Sequence, residues 1–133
     1  MSSFIDPELV AVAFLAPLTT IPVAALSTET NAATLPICIV EVLDVDTPSN
    51  APHGAMWVLT FQITVLATTA GQTFRLAGEL QDALLAAASE DASTVAVGLL
   101  ISSAEVIEHP MRTSTTKATS IVVAQYEITA ATI

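Results

Sequence analysis

Residues 57–68 read Trp57-Val-Leu-Thr-Phe-Gln-Ile-Thr-Val-Leu-Ala-Thr68, and their alternation decides the fold class. Trp57, Leu59, Phe61, Ile63 and Val65 fall on one side of an extended chain, and Val58, Thr60, Gln62 and Thr64 on the other. A period of two with one apolar side predicts an antiparallel strand covered on one face only. After Thr68-Thr-Ala-Gly71 the period changes. Within Gln72–Ser89, Leu76, Leu80, Leu84 and Ala87 form one stripe while Arg75, Glu79 and Asp82 lie on another, the pattern of an amphipathic helix. Gly78 sits in its middle, where glycine costs about 1 kcal/mol against alanine, and predicts a close backbone approach there.

Working outward, Leu35–Leu43 is rich in Ile and Val and predicts a strand before residue 57, joined to it by a loop from Asp44 to Gly54. Further upstream, Asp6-Pro7-Glu8 has the marks of a helix start: a side-chain acceptor, a proline where no N–H is needed, and an acid at the positive helix end. That helix is expected to run to about Ala16 and to stop at Pro17. On the C-terminal side Val95–Glu108 predicts a third strand. Ser120–Ala130 predicts a fourth, with Val122, Ala124, Tyr126 and Ile128 inward and Gln125 and Glu127 outward. The connection His109–Thr119 is long for a hairpin and polar, as binding or assembly loops are. The expectation is one α+β domain over residues 1–133, with an N-terminal helix at about 6–16 and the sheet and second helix within 35–131. Its order is α-β-β-α-β-β, an antiparallel four-stranded sheet with the helices packed on one face and no parallel crossover.

Composition bounds what such a domain does. At 133 residues it can bury a core without disulfide or metal staples. The chain is 53% hydrophobic and only 12% charged, so little charge is left to cover its surface, as in a subunit whose faces are covered on assembly. Thirteen acids face Arg75, Arg112 and Lys117, a net charge of −10, and that repels phosphate and disfavours tight nucleic-acid binding. Cys38 is the only cysteine, which excludes an intrachain disulfide and suits a reducing compartment. It lies in an apolar run and reads as a buried, inert thiol. The uncharged stretch Leu9–Leu26 is interrupted by Pro17 and Pro22, and the segment before it is acidic, so neither a membrane span nor a signal peptide is expected.

Motifs for catalysis are missing. There is no His-x-x-x-His pair, no Gly-rich phosphate loop, no Gly-x-Ser-x-Gly elbow and no Cys-x-x-Cys. Asp44 and Asp46 would project to one side of a continuing strand and with His53 form a weak cation site, set against the plainer reading of a solvated loop. Glu105, Glu108 and His109 form a second acidic group at an expected strand end, where charges commonly only solvate. No residue is assigned a catalytic, cofactor-binding or metal-binding role, no cofactor is expected, and the chain is not expected to be an enzyme.

The stretch Trp57–Thr68 leading into Phe74-Arg-Leu-Ala-Gly-Glu-Leu-Gln-Asp-Ala-Leu-Leu85, followed by Ile121-Val-Val-Ala-Gln-Tyr-Glu-Ile128, resembles the tail terminator (tail completion) family of long-tailed bacteriophages. The resemblance implies a structural virion protein, made in the host cytoplasm, that forms a ring, typically a hexamer. It also implies that the ring caps the tail tube and joins tail to head or neck, with three partners besides itself: the tube protein, the head–tail connector, and genomic DNA passing through the lumen without tight binding. Another head–tail connector or tail tube subunit, and more remotely a small-ligand or metal-binding α+β domain, are the alternatives.

Overall fold

The computed structural model describes residues 6–25, 35–47, 56–88, 94–115 and 119–132. Helix α1 (Pro7–Leu15) starts as its sequence dictates: the Asp6 carboxylate accepts from the Leu9 amide at 3.2 Å, with Pro7 in the first turn. A 3-10 turn, Ala16–Leu18, carries Pro17 and ends it. Strand β1 (Val23–Ala25) runs parallel to the start of β2 (Ile37–Asp46), which pairs antiparallel with β3 (Met56–Ala67). Helix α2 (Ala70–Ala87) is capped by the Thr69 hydroxyl, which accepts from the Gln72 amide at 3.2 Å. The chain then forms β4 (Val95–Ala96), β5 (Leu99–Thr115) and β6 (Ser120–Thr132).

The strands lie in the order β1-β2-β3-β6-β5-β4. This corrects the expected four-stranded antiparallel sheet: there are six strands, one pairing is parallel, and the sheet curls into a half-barrel. The two added strands are three and two residues long, too short for any period to declare them. β1 is held by a backbone bond from the Cys38 amide to the Pro22 carbonyl, a pairing across a crossover that local composition does not encode. β4 and β5 are joined by Val97 (φ 52°) and Gly98 (φ 76°). Gly98 adopts its positive φ freely, whereas a valine in the left-handed region costs about 1–2 kcal/mol, so residue 97 does not announce the turn.

The connection expected to be a loop from His109 to Thr119 is mostly strand, since β5 continues to Thr115. Pro110 is tolerated because it sits where the β5–β6 register slips, between Glu108 and Met111, on the side of β5 that no strand covers. Lys117 lies outside the described residues.

The inward side of β3 and β6 is the one their alternation implies. Trp57, Leu59, Phe61, Ile63 and Val65 are buried, as are Val122, Ala124, Tyr126 and Ile128. From α1 come Val10, Ala11, Phe14 and Leu15, and from α2 Leu76, Ala77, Leu80 and Leu84, all joining one core with those strand residues. α1 touches β1 and β2 and also β4, at the far end of the strand order, so the sheet wraps around its helix side and its open face is convex.

Gly78 departs from expectation. A Cβ built on it meets nothing within 4 Å, so no close approach inside this chain requires glycine. Gly78→Ala should therefore stabilise the monomer by about 1 kcal/mol, read as a higher denaturation midpoint at unchanged m-value.

Candidate interaction surfaces

The open face of the sheet collects acids that are scattered in sequence. Glu41 lies opposite Gln62, Asp44 opposite Thr60 and Asp46 opposite Val58. Glu105 lies opposite Glu127, and Glu108 opposite Gln125. Gln62, Thr60, Val58, Gln125 and Glu127 all alternate with buried neighbours, so they and their partners point away from the helices. Six acids, Glu41, Asp44, Asp46, Glu105, Glu108 and Glu127, thus share one face. At its centre Gln125 donates to the Gln62 carbonyl oxygen at 3.2 Å, tying the two central strands together between the acidic flanks. Glu105 and Glu127 stand directly across from each other, an arrangement of like charges that opposes strand pairing.

The two acidic groups seen in the sequence fare differently. Asp44 and Asp46 do project to one side, but His53 lies outside the described residues, and among those described no three His, Cys, Asp or Glu side chains gather as a metal site. In the other group, Glu105 and Glu108 lie in mid-strand rather than at a strand end, and His109 parts from them toward α2. There its Nδ1 is 3.2 Å from Gln81 Nε2, while Gln81 Oε1 accepts from the Tyr126 hydroxyl at 2.9 Å. With the Gln81 oxygen taken by Tyr126, its amide nitrogen faces His109, and Nδ1 serves as the acceptor. These hydrogen bonds fasten α2 to β5 and β6. A second tie links the same elements: the Arg112 guanidinium carbon lies 5.7 Å from the centre of the Phe74 ring.

Cys38 is fully buried, and burial pushes its thiol up to about 12. A thiol so far from ionisation is no nucleophile at neutral pH. A groove of about 450 Å³ lies between α1 and β1 and is lined by Asp6, Glu8, Leu9, Val12 and β1. Asp6 is already engaged as the helix cap, and apart from Glu8 the other lining side chains are apolar. No helix among the described residues is long and apolar enough to cross a membrane, and the described part of that uncharged stretch, residues 9–25, contains most of α1, the 3-10 turn and β1.

The margins of the sheet carry what its open face lacks. Leu43 and Val45 are exposed on β2, beyond the end of β1, and Phe74, Leu85, Ile107 and Met111 are exposed along α2 and β5. The acids of this surface were visible in the sequence one by one. Their common face was not, because it depends on strand register.

No family model and no curated protein matches the chain. Among solved structures, one whose name carries no description of function is similar over 98% of this chain and 99% of its own, with a TM-score of 0.52 and 17% identity. At that identity the similarity speaks for the fold alone.

Proposed function

We propose that the chain is a structural, non-enzymatic virion subunit of the tail terminator kind. It closes into a ring, a hexamer by the resemblance of its sequence, that caps the tail tube and joins it to the head or neck. The observation that supports this reading best is the division of the surface: one sheet face carries acids of a single sign, while large apolar side chains stay exposed at the sheet's margins. Exposed apolar margins favour burial against neighbours. A face of one sign repels phosphate, and turned toward the bore of a ring it gives a wall that DNA passes without sticking. The placement of Glu105 against Glu127 fits this role, since a sheet selected only for stability avoids like charges across a strand pair.

Two measurements test the reading. Native mass spectrometry of the chain, alone and with tail tubes, should find closed rings; a chain that stays monomeric in both conditions overturns it. Converting Glu105 and Glu108 to Lys should leave the far-ultraviolet circular dichroism unchanged and slow genome ejection, with the defect eased at high salt as the new attraction is screened. Ejection at the normal rate would remove the bore from the proposal.

A further inference from the structure

We propose that the exposed face of α2 is a contact between two copies of this chain, in which the two helices lie antiparallel across a two-fold axis. It stands apart from the ring reading, because a two-fold contact closes on itself and does not propagate into a cyclic ring.

The buried stripe of α2 is Thr73, Leu76, Ala77, Leu80 and Leu84. At about 3.6 residues per turn, the side turned away from it carries Gly71, Gly78 and Leu85 on one line, with Phe74 on one flank and Asp82 and Arg75 on the other. Exposure agrees. Phe74 is 38% and Leu85 36% exposed, the Arg75 side chain is 61% accessible, and Gly71 and Asp82 are exposed. Gln81, bonded to His109 and Tyr126, marks the Phe74 flank as the one beside β5, so Arg75 and Asp82 lie on the side away from it. Both glycines have open space where a Cβ would stand. Gly78 therefore has no reason inside the chain, and a second helix brought close over the line of Gly71 and Gly78 supplies one between chains.

The order of side chains on this face selects a second copy, turned antiparallel. About residue 79, Arg75 and Asp82 lie four and three residues to either side and Phe74 and Leu85 five and six, a mismatch of one residue or about 1.5 Å along the axis. A two-fold turn at that point brings like flanks together and reverses their order. Arg75 then meets Asp82 of the second copy and Asp82 meets its Arg75, while Phe74 meets its Leu85 on the other flank. Each contact is made twice. A parallel two-fold pair would instead set the apolar flank of one helix against the charged flank of the other, so that arrangement is disfavoured. Arg75 already has Glu79 at 3.5 Å, but both side chains are largely exposed, and such a pair is weak and leaves guanidinium donors free for a second carboxylate. A single helix face is at the low end of interface size, so the pair forms reversibly.

The test is sedimentation equilibrium of the full chain over a wide range of concentration. The weight-average mass should rise toward twice that of the unit present at high dilution, whether that unit is one chain or a ring. Gly78→Gln, whose Cβ meets nothing within its own chain, should abolish the doubling while the denaturation midpoint holds or rises. Arg75→Glu alone and Asp82→Arg alone should each weaken pairing about tenfold, because each replaces two attractive charge pairs with two repulsive ones. An equimolar mixture of those two variants should restore it, since every charge then meets its opposite in the other chain. A wild-type mass that does not double, a doubling indifferent to Gly78→Gln, or a mixture no better than its components overturns the assignment. The ring is read separately, from the mass of the dilute unit.

Discussion

Replacing Phe61 by Ala should cost the monomer ~3–5 kcal/mol in denaturant titration, the usual range for truncating a fully buried aromatic. Phe61 is at the middle of β3, wholly inaccessible, with its ring 6.0 Å from that of Tyr126 and tilted by 45°. Its register partners are Val42 on β2 and Tyr126 on β6, so the ring joins three strands beneath the two helices. The lost transfer energy and the cavity left behind add, because strands on both sides hold the backbone and prevent collapse. Phe74→Ala is the matched control. The residue is 38% exposed, and the same truncation, which loses the Arg112 contact but opens no closed cavity, should cost only about 1 kcal/mol. A loss under 1 kcal/mol for Phe61 would contradict its place in the core.

The second large effect is alkaline unfolding, to which two buried acids contribute. Burial pushes the Cys38 thiol from its ordinary 9.0 up to about 12. The Tyr126 phenol is raised above its ordinary 10.0, first by burial and then by the charges of Cys38 and Asp82. In both cases the unfolded chain gives up the proton before the folded chain does. The stability from these neutral groups is therefore complete below the unfolded values and is lost as pH rises toward the folded ones. For Cys38 the window is about pH 9 to 12, and at roughly 1.4 kcal/mol per pH unit the loss reaches about 4 kcal/mol. The Tyr126 contribution begins near pH 10. Denaturation midpoints between pH 7 and 12 should be level to about pH 9 and then fall. In Cys38→Ala the fall should start about one unit later and be shallower. A profile that stays level to pH 11 in the wild-type chain would mean that the thiol and phenol are solvated.

Much of the local structure was legible because it repeats. The period of two in residues 57–65 and 122–128 orients β3 and β6, and the Leu76–Leu80–Leu84 stripe orients α2. Asp6-Pro7-Glu8 announces α1 through the chemistry of its cap. The missing pieces are those for which a local pattern carries no signal. β1 exists through pairing across a crossover, β4 through a turn that forces Val97 to a positive φ, and the second half of β5 through a register slip that accommodates Pro110.

The acidic face shows where that division falls. Composition alone determined that the chain is strongly acidic, repels phosphate and has few charges for its many apolar residues. Which way the acids point was decided by two irregularities in pairing. In a regular strand Glu41 and Asp44, three residues apart, face opposite sides, as do Glu105 and Glu108. The register shift at Leu43 in β2 and the one between Val106 and Glu108 in β5 each insert a residue and reverse the alternation, turning all four carboxylates to the open face. A bulge is a property of two strands together, fixed by the core residues on either side of it, so no reading of one strand by itself reaches it.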